Sequence, residues 1–153
     1  MVFTKRNLPT SLVQYCTATN QSFFHKLQAK VARRILVHAY GVHVSPGAII
    51  GNGLFLPHAT SIVIGAGVRI GSNCVIYQNT TIGKKYGEHS QCNNEDGYPS
   101  IEDNVMIGCG AALLGNIHIV SNCIIGANSV ITKSIDISGV YVGNPGKITQ
   151  RLV

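Results

Sequence analysis

The sequence predicts an all-β chain wound as a parallel β-helix, with a short helical segment in front and one long loop thrown out of the coil. Three observations predict it. A large aliphatic residue recurs every six positions from Val44 to Ile131, through Ile50, Leu56, Ile64, Ile70, Ile76, Ile82, Ile101, Ile107, Leu113, Ile119 and Ile125, with only two breaks in the spacing. A small or β-branched residue stands two positions ahead of most of them, as at Ala48, Val68, Cys74, Thr80, Val105, Ala111, Ile117 and Cys123. Seventeen glycines in 153 residues serve the turns between repeats, where backbone angles closed to other residues are needed. A period of six suits neither a helix nor a flat amphipathic strand. It suits a triangular coil in which each hexapeptide is one side, so that three hexapeptides stack on the next three about 4.8 Å away. Each aliphatic side chain then joins a column of like residues along the axis, burying what one coil alone could not.

Residues 1–41 form the helical segment. Positions up to about 20 read as irregular or weakly helical. From Ser22 to Tyr40, Phe23, Leu27, Val31, Ile35 and Leu36 fall near helical spacing with Lys26, Lys30, Arg33 and Arg34 between them, and Gly41 ends the helix. Two roles stay open for this basic amphipathic helix. It can cap the open end of the coil, whose strand edges would otherwise be unpaired, or it can dock on an anionic membrane face.

Residues 42–131 form the coil. At its first break, Leu56 to Ile64, eight residues replace six, so Pro57, His58, Ala59, Thr60 and Ser61 bulge outward and lift a histidine off the face. The second break, Ile82 to Ile101, holds the polar excursion GKKYGEHSQCNNEDGYPS over 83–100. A loop of this length in so regular a scaffold is usually functional. Residues 132–153 leave the six-residue beat and end in YVGNPGKITQRL before the last valine.

Composition narrows the class. No run of about 20 apolar residues occurs and Met1 to Thr10 lacks an apolar core, so the sequence predicts neither a membrane span nor a signal peptide, and a cytoplasmic location is expected. The five cysteines show no CxxC pairing; Cys74 and Cys123 fall on inward small-residue positions and read as buried thiols, so no disulfide is expected. The net charge is +6, and every acidic residue lies at or after Glu88. Such a basic first half attracts anions: a phosphate-bearing cofactor or substrate, an acidic membrane, or nucleic acid. Nucleic acid is the weakest of these, because no helix-turn-helix or basic-aromatic pattern accompanies the charge.

The segments GVHVSPGAIIGNG (41–53), LPHATSIVIGAGVRIG (56–71), IYQNTTIG (76–83), IGCGAALLGNI (107–117), IIGANSVI (124–131) and VGNPGK (142–147) resemble the hexapeptide-repeat acyltransferases, and among them most closely the serine acetyltransferase group. The resemblance implies a left-handed β-helix, a homotrimer with active sites between subunits, and acetyl-CoA as co-substrate with no metal. It implies that His58 takes a proton from an acceptor hydroxyl so that the oxygen can attack the acetyl thioester, a role that suits an imidazole. Gln78 falls one coil beyond His58 and can hydrogen-bond substrate. A backbone N–H near Gly83 or Lys84 would serve the developing oxyanion. Gly126, Ala127, Gly143, Asn144 and Lys147 match the region that holds coenzyme A in related proteins.

Departures from that pattern bear on the acceptor. The group has an aspartate where this chain has His43, another where it has Pro57, and an Arg-His pair where it has Gly97 and Tyr98. No carboxylate precedes His58, so a backbone carbonyl or Glu88, Glu95 or Asp96 would have to orient it. Without the ion pairs that grip an amino acid, the sequence favours a sugar or glycan hydroxyl, with His43, Tyr86, His89 and Tyr98 as further acceptor contacts. Serine O-acetylation is the alternative. A metal-dependent lyase resembling the γ-class carbonic anhydrases, which bind zinc through three histidines, is weaker, since the suggestive spacing of His38 and His43 has no counterpart inside the coil. A scaffold that kept the coil and lost the chemistry is the remaining reading.

Overall fold

The computed structural model describes residues 8–17, 23–85 and 97–151. Two helices, α1 (Leu8–Thr17) and α2 (Phe23–Tyr40), precede a coil of short strands. The strands line up into three walls. The first wall stacks β1 (His43–Val44), β3 (Val63–Ile64), β6 (Thr81–Gly83), β9 (Ala112–Leu114) and β12 (Val130–Ile131). The second stacks β2 (Ile49–Ile50), β4 (Arg69–Ile70), β7 (Ser100–Ile101) and β10 (His118–Ile119). The third stacks β5 (Val75–Ile76), β8 (Met106–Ile107), β11 (Ile124–Ile125) and β13 (Gly139–Val142), and ends on β14 (Lys147–Arg151). Every pairing is parallel except that of β13 with β14, which is antiparallel. This is the parallel β-helix that the six-residue period predicts.

Register explains why the period works. Ile64 pairs with Ile82, Ile82 with Leu113 and Leu113 with Ile131, so inward aliphatic residues sit directly on one another. Of the thirteen residues assigned inward from the sequence, all but Ile50 are buried, and the small-residue positions from Ala48 to Cys123 are buried beside them. Burying each Ile or Leu contributes about 1.5–3 kcal/mol, which is why strands of two residues suffice. Thr80 is tolerated in this interior because its hydroxyl donates to the Tyr77 carbonyl at 2.8 Å.

The breaks are extruded at corners. Val44 pairs with Ile64, a turn of 20 residues, where three hexapeptides need 18, and the surplus lies in the bulge between the third and first walls. From Ile82 to its partner Leu113 the turn is 31 residues, and the surplus leaves between the first and second walls. Beyond Ile131 the spacing shortens instead. Ile135 bridges Ile119 and Tyr141 pairs with Ile125, so pairing continues past the residue at which the beat ends.

The helices cover the coil's N-terminal end. Val13 and Cys16 of α1 and Ala32 and Leu36 of α2 belong to one apolar cluster with Val42, Val44, Leu54 and Leu56. The Leu56 N–H, with no coil below it, donates to Thr10 Oγ1 at 3.1 Å. Gly41 stops α2 at φ +63°, where a side chain is strained, and the Gly41 and Val42 N–H groups turn back onto the Val37 and Leu36 carbonyls. Among the described residues no helix is long and apolar enough to cross a membrane.

Because Ile82 is fully buried between rungs above and below, Ile82→Ala is expected to cost about 2–5 kcal/mol in urea unfolding. A loss below about 0.5 kcal/mol would show that the column is not close-packed.

Candidate active site

His58 stands on the bulge at the corner between the third and first walls, and its side chain is exposed. The bulge is held by its own backbone: the Thr60 N–H donates to the His58 carbonyl at 2.9 Å, and Ser61 turns the chain at φ 51°. Among the described residues the imidazole meets the ring of Tyr77, one turn on, with centroids 6.5 Å apart and planes at 47°. No described hydrogen bond or ion pair engages the imidazole.

The walls decide what shares this corner. Phe55 pairs with Val75, Ile76 with Ile107, Ile107 with Ile125 and Ile125 with Tyr141. Two residues on from each inward position, the corner therefore carries His58, Gln78, Cys109, Ala127 and Gly143 in a row. Backbone bonds tie that row together: the Asn79 N–H donates to Thr60, Gly110 to Gln78, and Asn128 to Cys109, at 3.1, 2.9 and 2.8 Å. Gly110 turns at φ +71°, where a side chain is strained, and a Cβ there would require the Asn128 side chain to move. The Gln78 Oε1 is buried and has no hydrogen-bond partner among the described residues. A buried acceptor left unpaired is costly, so this oxygen is available to a ligand donor.

The expected cofactor residues divide between two places. Gly126, Ala127 and Gly143 lie on the His58 corner, with Asn144 and Lys147 exposed where β13 turns into β14. Packing already explains Gly126, because a Cβ there would fall 2.6 Å from Val142 Cγ1. Gly83 and Lys84 lie instead at the corner between the first and second walls, where the long loop departs. Within one chain they do not join His58, because the loop leaves after β6 whereas the histidine bulge precedes β3. Tyr98 belongs to that same second corner: it lies under Lys84 Nζ, 4.9 Å from the ring centroid, and against Gly65, where a Cβ would be 2.6 Å from the ring. Among the described residues a Cβ on Gly83 would meet nothing within 4 Å.

His43 points outward from β1 and lines a groove beneath α2 rather than the His58 corner. Tyr86, His89, Glu88, Glu95 and Asp96 lie outside the described residues. Two of the described acidic residues, Glu102 and Asp103, serve elsewhere. Ser121 donates its hydroxyl and its N–H to Glu102 Oε2, each at 2.8 Å, and holds that carboxyl below the ordinary carboxylate range. Asp103 Oδ1 accepts the Ser72 N–H at 2.6 Å. Among the described residues no three His, Cys, Asp or Glu side chains gather as a metal would require. The Tyr77 ring beside His58 had no signal in the sequence beyond its place one turn on.

Two repeat families match the coil: "Hexapeptide repeat of succinyl-transferase" over residues 59–85 and "Bacterial transferase hexapeptide (six repeats)" over residues 98–133. The serine acetyltransferase of Staphylococcus xylosus is 43% identical over 111 residues, covering 72% of this chain and 49% of that protein. The chain is a hexapeptide-repeat protein related to the serine acetyltransferases. Serine acetyltransferase 3 of Arabidopsis thaliana is 41% identical over 123 residues, covering 80% of this chain and 30% of its own. In three dimensions the coil superposes on the Neisseria gonorrhoeae serine acetyltransferase with a TM-score of 0.78 at 34% identity, covering 94% of this chain and 55% of that one. A serine acetyltransferase solved in complex with CoA gives 0.73 at 31% identity, covering 92% and 55%. The chain spans about half the length of the curated bacterial relatives it matches.

The half-buried Cys109 in the middle of the His58 row differs from the other described thiols. Cys16, Cys74 and Cys123 are buried, and burial raises all three, Cys74 to about 11. Alkylation of the folded protein at about pH 8, read by peptide mass spectrometry, is expected to modify Cys109 before those three. Equal rates at all four would contradict the packing described.

Proposed function

We propose that this chain is an acetyl-CoA-dependent O-acetyltransferase with His58 as general base. The observation that carries the reading is the row His58, Gln78, Cys109, Ala127, Gly143 along one edge, with the imidazole lifted off the face beside a strip of small residues. The solved relative bound to CoA supports it. An extended thioester arm can lie along such a strip, and Ala127 and Gly143 leave it room, with Asn144 and Lys147 near its end. His58 accepts the proton of the acceptor hydroxyl as its oxygen attacks the thioester carbonyl. The carbon–sulfur bond then breaks and the proton passes to the departing thiolate, with no acyl-enzyme. General-base help of this kind is worth roughly 10² to 10⁴ in rate.

The donors for the oxyanion come, in this reading, from a second copy. Gly83, Lys84 and Tyr98 occupy a different corner from His58, and one site can use both corners only if copies pack edge to edge. A homotrimer does that. The domain division follows: a helical cap over 1–41, a coil over 42–131 and a tail over 132–153 that closes the coenzyme edge.

Serine is the acceptor that the relatives favour, since each relative compared above is a serine acetyltransferase. A sugar hydroxyl is the second reading. It rests on Pro57, Gly97 and Tyr98 standing where ion-pairing residues would grip an amino acid, and on His43 and the absence of any acidic residue before Glu88, which leave His58 without the carboxylate that orients it in the group.

His58→Ala is expected to lower turnover at least about 100-fold while coenzyme A affinity stays within a few-fold. Near-normal turnover would remove His58 from the mechanism. Release of free thiol from acetyl-CoA, measured with serine and with a panel of sugars, decides the acceptor: a rate that rises only with serine excludes the sugar reading, and the reverse result excludes serine.

A further inference from the structure

We propose that the groove between α2 and β1 binds a small phosphate-bearing anion with the charge and size of a pyrophosphate group. The groove encloses about 480 Å³, and Lys30, Arg33, Arg34, His38 and His43 converge on it over an apolar floor that includes Val37. Its volume falls among clefts that hold small ligands.

Three features point to an anion. Arg33 is anchored, its Nη2 donating to the Cys16 carbonyl at 2.8 Å, yet its Nε is buried and has no hydrogen-bond partner among the described residues. A buried charged donor without an acceptor is costly, and a phosphate oxygen in the groove relieves it. The local charge is also uncompensated: no acidic residue occurs in positions 1–87, and among the described residues Lys30, Arg33 and Arg34 have no carboxylate partner. Finally, an apolar floor lowers the local dielectric and strengthens attraction to a bound anion. The planar fork of arginine matches phosphate oxygens two at a time, which favours phosphate over a simple carboxylate. Among the described residues no aromatic ring lines the groove, so they offer no platform for stacked bases, and its cations line a concavity.

The groove adjoins the candidate site. Gly41, which leads into β1, lies against Ser61 of the histidine bulge, where a Cβ on the glycine would be 3.3 Å from the Ser61 nitrogen. The proposal nevertheless stands apart from the transferase reading, because nothing in it uses His58 or coenzyme A.

The test is a calorimetric titration of the full chain with inorganic pyrophosphate at low ionic strength, repeated with coenzyme A at saturation. Saturable binding is expected, with Lys30→Ala plus Arg34→Ala weakening it at least about tenfold. Both side chains are exposed and alanine favours a helix, so the double variant should fold. Arg69→Ala, on the second wall, is expected to leave the affinity within about twofold. Binding absent at about 10 mM pyrophosphate, or unchanged in the double variant, overturns the proposal. Displacement of pyrophosphate by coenzyme A also overturns it, by moving the anion to the cofactor site. Retention of the chain on phosphatidylglycerol vesicles that pyrophosphate fails to release overturns it in favour of a lipid headgroup. Loss of coenzyme A binding with pyrophosphate binding intact would count against the transferase reading alone.

Discussion

The in-register stacking of aliphatic side chains on parallel strands is the constraint on which the remaining structure depends. When Ile64 lies on Ile82 and Ile82 on Leu113, a shift of one residue in any strand would carry its inward side chain to the solvent face. Extra residues therefore cannot be absorbed within a wall. They are expelled where the chain turns from one wall to the next, and both expulsions in this protein carry the side chains of greatest chemical interest. The bulge bearing His58 is fixed for the same reason, since the strands on either side of it are locked by their partners above and below.

Three corners result, and they differ in chemistry. One carries His58 and a row of mostly small residues, with the Gln78 oxygen, unpaired among the described residues, between turns. A second carries Gly83, Lys84 and Tyr98 at the root of the long loop, with the lysine over the ring. The third lies where the chain passes from the second wall to the third. There Asp103 and Glu102 accept hydrogen bonds from Ser72 and Ser121 and tie successive turns together. Carboxylates at the third corner are engaged in holding the coil and are not supplied to the imidazole. In the proposed reading the His58 edge and the Gly83 edge serve one reaction only when a second copy brings them together, so the proposed assembly and the proposed chemistry stand or fall together.

The coil itself was legible because its period is a direct consequence of its packing. Leu56, Ile76, Ile107 and Ile125 could each be assigned inward from spacing alone, and all are fully buried. Gln78 could be placed beside His58 by counting. The exception, Ile50, lies in the first turn with a rung on one side only, at Ile70, and is partly buried. Less legible was the residue set expected to serve one site. Gly83 and Lys84 follow Ile82 by one and two positions just as Gln78 follows Ile76 by two, but they turn a different corner, and nothing local in a glycine or lysine reports which corner it turns. The hydrogen bond from Leu56 to Thr10 joins positions 46 apart, and the groove beneath α2 forms only once the helix is laid across β1. The bias of positive charge toward the first half hinted at an anion, without locating it.

The sequence by itself determined the winding, the two places where it is interrupted and the histidine at the first of them, because a repeat of six dictates burial rung by rung and any departure from it is visible as a count. Only the tertiary structure decided which residues meet. The alignment of His58 with Gln78, Cys109, Ala127 and Gly143 and the removal of Lys84 and Tyr98 to another edge depend on how turns of 20, 18 and 31 residues superpose, and the gathering of Lys30, Arg33 and Arg34 over His43 depends on how α2 lies across β1. Spacing along the chain fixes the face a residue occupies, whereas its neighbours are set by the pairing of strands far apart in sequence.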